Sequence, residues 1–368
     1  MPLSSKDKPP VYAKLKQTII KEIDNGSLAP DAPILSERLL GEKFDISRIS
    51  VRKAIKELVE ENYLYTIPGK GTFVVGPSRS TAHAVERRTY NLGYVFWGAV
   101  KNIITNQYFA HLVHGAEREC LKHNYHLIVS TAEERNEEGY LVIPSIVSQR
   151  KVDGVFLEGI DIANYLRINR IRPAVIISNY IIVEDSPAEL EAVDYVAANN
   201  QVAVLNVLRY LKDLGHTRIA FIYQSLHHSS FLERFESFCK IAPQMGIITR
   251  DSWIIQADSG AEGLEQLLKQ SDRPTAIVAA NDWYALNILE NAAGFGVSIP
   301  QDFSVIGFDD IEASAWSKPS LTTVRVFTDE VGKAAAGRLI EKIENPDSPP
   351  RTMFVGTRLI IRDSCRPI

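Results

Sequence analysis

Residues 34–75 read ILSERLLGEKFDISRISVRKAIKELVEENYLYTIPGKGTFVV, and their spacing decides the fold of the first part of the chain. Ser36 stands where a helix N-cap belongs, with Glu37 in the positively polarised first turn of a helix expected over 36–44. Asp45 interrupts the pattern, and Ser47 is placed to cap a second helix running to about residue 61. Val51, Ala54, Ile55, Leu58 and Val59 recur at helical spacing and make one buried stripe; Arg48, Ser50, Arg52, Lys53 and Lys56 fall off it. Two short strands, 64–67 and 72–75, flank a tight Pro68-Gly69-Lys70-Gly71 turn. Helix, turn, cationic helix and glycine-tipped hairpin is the plan of a winged helix-turn-helix.

The chemistry follows from that plan. A helix fits the DNA major groove, and its N-terminal residues meet base edges. Arg48 and Arg52 are one turn apart and can face the groove together, where an arginine bonds two acceptors of a guanine at once. Arg38 is placed to hold a phosphate, which fixes register without reading sequence. Gly69 and Gly71 let the wing backbone come close to DNA, and Lys70 adds charge. A cationic cluster is more often a solvated face on a structural helix. The hairpin at this distance tips the balance to DNA.

At these residues the chain resembles the GntR family of bacterial transcription regulators. That family's motif runs roughly P-S-E-R-x-L-x-x-x-[FY]-G-V-S-R-x-T-V-R-x-A-[IL], followed by a G-x-G-T-F wing. This chain has L-S-E-R-L-L-G-E-K-F-D-I-S-R-I-S-V-R-K-A-I and then G-K-G-T-F. The resemblance spans about residues 11–75 and implies that Arg38, Arg48, Ser50, Arg52, Gly69, Lys70 and Gly71 contact DNA. Leu35, Asp45 and Ser50 depart from the usual Pro, Gly and Thr.

The totals agree with a soluble, multidomain protein. The 368 residues suit two or three domains, and 45% hydrophobic with 23% charged residues is an ordinary globular composition. Residues 1–76 carry 12 Lys and Arg against 10 Asp and Glu, whereas the whole chain has a net charge of −4, so DNA binding is favoured in the first segment. Cys120, Cys239 and Cys365 are far apart, with no CxxC pair, and His227-His228 has no further ligand nearby. Reduced thiols, no metal and no cofactor are expected. No secretory signal and no apolar run of membrane-spanning length is present, so a cytoplasmic location is expected.

Before the motif, 11–25 reads as an amphipathic helix with Tyr12, Leu15, Ile19, Ile20 and Ile23 on one face. After the wing, residues 77–89 lose periodicity and read as a linker between a DNA-binding domain, 1–76, and a larger domain, 90–368. From there strands alternate with helices. Strands are expected at 90–96, 126–130, 154–158, 174–178, 219–223, 253–256, 276–280 and 304–307, and helices at 108–123, 137–149, 201–214, 230–245, 260–270 and 283–295. This alternation implies parallel sheets covered by helices, and the length implies two α/β lobes with a ligand cleft at their strand ends.

The stretches LKDLGHTRIAFI, AIVAANDWYALNILENAAGFGVSIPQDFSVIGFDD, PSLTTV and RLIIRDS resemble the effector domain of the LacI family, which is similar to periplasmic sugar-binding proteins. The resemblance covers about residues 91–364. It implies a two-lobed body that binds a small molecule and dimerises. N-Q-Y-F-A resembles that family's N-P-F-F-A, which puts Tyr108 and Phe109 beside the cleft. Asp282, in A-N-D, matches an effector-binding acid, with a helix N-cap as the plainer reading. Arg234 and Asn199 fall at further effector positions; Asn179, Tyr180, Glu158 and Asp309 end strands and are weaker candidates. Leu232 stands where relatives often place a second arginine, which disfavours a strongly anionic ligand.

A GntR-type head on a LacI-like body is the combination of the arabinose-repressor type. It implies a homodimeric repressor of carbohydrate-use genes, bound to double-stranded operator DNA and released by a small sugar, L-arabinose or a similar one. Two alternatives remain from the sequence. One is a ligand carrier, or a regulator answering a non-sugar effector such as a nucleoside. The other is an enzyme, for which no nucleophile–base set, P-loop or Rossmann fingerprint is present.

Overall fold

The computed structural model describes the chain except residues 1–10, 25–26, 62, 76–87, 98–105, 133–141, 179 and 181–192. Most of the expected linker, and Asn179, therefore lie outside the described residues.

The head is built from α1 (Val11–Asp24), α2 (Glu37–Phe44), α3 (Arg48–Glu60) and the hairpin β1 (Leu64–Ile67) and β2 (Gly71–Val74). Both expected caps form. Ser36 Oγ accepts from the Leu39 N–H at 3.4 Å and Ser47 Oγ from the Ser50 N–H at 3.2 Å. Asp45 ends α2 at φ 52°, a left-handed position that a short polar side chain tolerates, so it can stand where the GntR motif has glycine. The predicted stripe is buried: Val51, Ala54 and Leu58 are fully covered, against Leu15, Ile19 and Leu40. In the wing Leu64 pairs with Val74 and Ile67 with Gly71, and Gly69 and Gly71 have φ of 75° and 124°, where a side chain would be strained. The chain before α2 joins this sheet: Pro33 bridges Phe73, and the Ile34 N–H donates to Thr72 O at 2.9 Å. That ties the wing to the entry of α2.

The body runs β3 (Asn91–Trp97), α4 (Gln107–Lys122), β4 (His126–Ala132), α5 (Ser145–Ser148), β5 (Gly154–Glu158), α6 (Ile162–Ile171), β6 (Ala174–Ile177), β7 (Tyr195–Ala198), α7 (Asn200–Asp213), β8 (Ile219–Tyr223), α8 (Ser229–Gln244), β9 (Ile254–Gln256), α9 (Gly260–Leu268), β10 (Ala276–Ala279), α10 (Asp282–Ala292), β11 (Ser304–Asp309), α11 (Glu312–Trp316), β12 (Thr322–Val326), α12 (Thr328–Glu344), β13 (Thr352–Val355) and β14 (Thr357–Ile360). They form two lobes. The first has sheet order β13-β7-β6-β5-β3-β4 and the second β14-β12-β11-β10-β8-β9. Pairing is parallel except between β12 and β14. The central strands are buried on both faces, as the continuous apolar runs GVF, IAFI and AIVA require. The chain crosses between lobes after β7, after β12 and at Gly356, and the carboxyl ends of both sheets face the space between.

All eight expected strands are present within a few residues; the one expected at 253–256 begins as a 3-10 turn, Asp251–Trp253. The helix expected at 137–149 appears among the described residues only as α5. Helices α6, α11 and α12 and strands β7 and β12 to β14 were not expected. The omission of α12 has a clear cause. It crosses α4 so closely that a Cβ on Gly115 would lie 1.9 Å from Asp329 O, and one on Gly332 2.1 Å from Leu112 O. Its sequence TDEVGKAAAGRLIEKIE is accordingly small at the contact and carries a weak apolar stripe. Gly332→Ala should cost about 2 kcal/mol by overpacking this crossing; an unchanged denaturant midpoint would mean that the helices separate freely. Arg338 of α12 is fully buried and donates to Asp194 Oδ1 at 2.6 Å beside β7, which Lys342 also meets.

Candidate functional site

The head presents one polar face. Arg48 in the first turn of α3 and Arg52 one turn later are both exposed. Arg52 Nε donates to Glu37 Oε2 at 2.8 Å and Arg38 Nη1 to Glu42 Oε1 at 2.8 Å. These pairs are exposed and contribute little energy, so they aim the guanidinium groups without committing them. Ser50 is half-buried, its hydroxyl 3.0 Å from that of Ser47, so it serves the cap as well as the face. Gly69, Lys70 and Gly71 form the exposed hairpin tip. Sequence reasoning passed over Ile49, which is 82% exposed next to Arg48. The signal was an apolar residue lying off the helix's buried stripe.

The second site lies between the lobes. A cleft of about 270 Å³ is lined by Gln107, Tyr108, Asp309, Ile311, Arg325 and neighbours. Tyr108 enters it from the start of α4, its hydroxyl bonded to that of Ser178 at the end of β6. Burial, with Asp309 and Glu158 nearby, pushes the Tyr108 hydroxyl far above its ordinary range, so it stays protonated and able to donate. Arg234, 2% exposed, donates to Asn200 Oδ1 at 2.9 Å, to Ala280 O at 2.7 Å and to Asp309 Oδ1 at 3.2 Å. Burial raises the Asp309 carboxyl, and Arg234 opposes that rise. Glu158 ends β5 buried beside Tyr94; burial holds its carboxyl well above the usual range. Ser178 and Asp309 have φ of 68° and 109°. Such strained non-glycine backbone concentrates at functional sites, and here one residue of each lobe faces Tyr108. Across the mouth, Gln107 Nε2 donates to Glu312 Oε2 at 2.9 Å while the Glu312 N–H donates to Gln107 Oε1 at 3.0 Å, clasping the lobes together.

Three sequence candidates change role. Asp282 is fully buried, and α10 is capped by Asn281 instead. Asp282 accepts from the Ile311 N–H at 3.0 Å, from the Ser314 hydroxyl at 2.6 Å and from the Thr323 hydroxyl, so it braces the loop behind Asp309 and is covered in this structure. Burial and Asp309 push its carboxyl up to about 7. A folded-state value raised above the unfolded one stabilises most at acid pH and loses that contribution as pH climbs through about 7. Asp282→Ala should cost about 2 kcal/mol by orphaning those donors, and should flatten the pH dependence of the thermal midpoint; a midpoint and slope like the parent's would dismiss the brace. Phe109 packs edge-on to Phe96 and Tyr108 in the core of the first lobe. Asn199 caps α7, accepting from the Val202 N–H at 3.0 Å. It borders a separate hollow of about 370 Å³, with Asn200, Glu233, Ser237 and Phe354. Tyr108, Arg234 and Asp309 remain together.

Comparison with known proteins agrees with both halves. The model of bacterial regulatory proteins of the gntR family matches residues 11–74, and that of periplasmic binding protein-like domains matches residues 208–365. The chain joins a gntR-family head to a periplasmic-binding-protein-like body. The arabinose metabolism transcriptional repressor of Geobacillus stearothermophilus is 28% identical to this head-and-body chain over 378 residues, covering 98% of each. The transcriptional repressor PurR of Vibrio vulnificus (strain CMCP6) is 28% identical over 268 residues, 72% of this chain and 79% of its own. The structure of the transcriptional regulator CelR in complex with cellobiose covers 97% of this chain and 100% of its own with a TM-score of 0.69; at 21% identity that is a likeness of fold. Among the described residues no helix of this gntR-headed chain is long and apolar enough to cross a membrane.

Proposed function

We propose that the chain is a cytoplasmic, sequence-specific transcriptional repressor of sugar-use genes, released from its operator by a small sugar, L-arabinose or a similar one. The observation that carries this reading is a single chain in which an exposed arginine pair on a capped recognition helix is joined to an inter-lobe cleft. The arabinose repressor of Geobacillus stearothermophilus matches that chain from end to end. Arg48 and Arg52 read guanines, Arg38 and the wing hold phosphates, and Ile49 packs on a thymine methyl. In the cleft the Tyr108 ring packs on the apolar face of a sugar and Asp309 accepts its hydroxyls. In this reading the body binds its ligand and does not transform it.

Two copies act together, since a two-fold head pair matches a near-palindromic operator. Supporting the dimer, Trp283 and Trp316 are 60% and 77% exposed on the second lobe, and the Asp282–Ser314 bond keeps their segments adjacent. Exposed tryptophans on adjacent segments suit a protein–protein contact. A sugar shifts DNA affinity only as far as it prefers one closure state of the body. The test is a thermal-shift screen of the full chain against pentoses, hexoses, disaccharides, sugar phosphates and nucleosides. A sugar that binds the folded state raises the midpoint by mass action. Response to a nucleoside alone would replace the sugar assignment.

A further inference from the structure

The head does not hang from its linker alone. Arg167 Nη2 of α6 lies 3.6 Å from Glu61 Oε1 at the end of α3, with the two side chains 14% and 15% exposed. One turn on, the Arg170 guanidinium sits 4.5 Å from the ring centroid of Tyr63, a residue of the head's own core. Glu61 is also held at 2.7 Å by Lys16 of α1, which reaches Glu57 of α3 at 3.1 Å. The contact thus holds the end of the recognition helix α3 directly and α1 through Lys16.

The same helix leads to the cleft. It follows β5, whose last residue is Glu158 beside Tyr94 and Tyr108. Gly159 turns at φ 67°, and Asp161 caps α6, accepting from the Asn164 N–H at 2.9 Å and from Asn164 Nδ2 at 2.8 Å. Asn164 Oδ1 accepts in turn from Arg167 Nη1 at 3.0 Å. Asp161 and Asn164 are buried. A continuous polar line, Asp161–Asn164–Arg167–Glu61–Lys16, therefore runs from the strand end at the cleft to the base of the head. Polar lines in a low-dielectric interior polarise one another and rigidify the elements they join.

We propose that the Arg167–Arg170 face of α6 is the seat on which the head docks, and that closure of the cleft reaches the head through it. The second clause rests on the reading of the cleft as the effector site; the first does not. The contact fixes the angle of α3 relative to the body, and in a dimer that angle sets the spacing of the two recognition helices. A movement of β5 and its following turn tilts α6 and with it the seat.

Hydrogen exchange on the full chain tests this without DNA or ligand. Arg167→Ala/Arg170→Ala leaves every bond within the head in place. Amides 57–61 and 63–64 should exchange about tenfold faster in this variant, with amides 154–158 unchanged as the control for an intact body. Arg170→Leu alone should give about threefold, which guards against a double variant that folds poorly. Glu312→Ala, which removes the side-chain half of the Gln107–Glu312 clasp, should speed the same head amides about threefold in the parent and not at all in the double variant. Head exchange unaltered by the double substitution overturns the seat. An effect of Glu312→Ala that is absent in the parent, or equal in both backgrounds, overturns the relay. If no sugar binds in the thermal screen but the seat passes, the effector reading fails and the docking stands.

Discussion

Arg48→Ala/Arg52→Ala should weaken operator binding about a thousandfold while leaving the fold, the dimer and sugar binding unchanged. Each bidentate arginine–guanine pair is worth about 1–3 kcal/mol of base discrimination, so losing both removes about 4 kcal/mol, or three decades of affinity. The fold should not register the change, because both side chains are exposed and the ion pair of Arg52 with Glu37 is solvent-facing. Fluorescence anisotropy on a duplex selected by the parent protein from a random library measures this directly. The parent's affinity should fall steeply with salt as phosphate contacts release counterions. An affinity within about threefold of the parent's would remove α3 as the reading helix.

Asp309→Asn should weaken sugar binding about a hundredfold, with operator binding intact and release lost. Charge-assisted hydrogen bonds are worth about 1.5–3 kcal/mol each, and a carboxylate that accepts two hydroxyls loses most of that on becoming an amide. Asparagine is the informative replacement for two reasons. It tolerates the φ of 109° at this strand end, and its oxygen can still accept from Arg234, whose side chain is almost fully buried. Asp309→Ala would instead leave that guanidinium without an acceptor at this position as well as without the charge, and confuse folding with binding. Calorimetry with the sugar found in the thermal screen decides the matter; parent-like affinity would make Asp309 a partner of Arg234 only.

Much of this architecture was legible because local chemistry and fold agree. Ser36 and Ser47 announce helix starts, Gly69 and Gly71 announce a hairpin, and the GVF and AIVA runs announce strands covered on both faces. What escaped depends on partners distant in sequence. Strands β13 and β14 are short, have no fully buried residue and make sense only at the sheet edges they join after the lobe crossings. Helix α12 hides its identity in glycines selected by the α4 backbone. Asp282 and Asp309 both stand at the carboxyl ends of strands and are equally acidic in text. Only the fold separates the one sealed under Ser314 and Thr323 from the one that lines the cleft. The docking pair Arg167 and Arg170 sits in a helix whose partner lies a hundred residues earlier, and no local pattern marks it.

The most direct test of the central claim is a titration of the parent protein, bound to its selected fluorescent duplex, with each sugar that raises its thermal midpoint. Anisotropy should fall to the value of free DNA as one sugar rises, with half-release near that sugar's Kd corrected for coupling to DNA. A duplex that stays fully bound while the cleft is saturated would contradict release by sugar and, with it, the assignment of the body as the sensor of a sugar-responsive repressor.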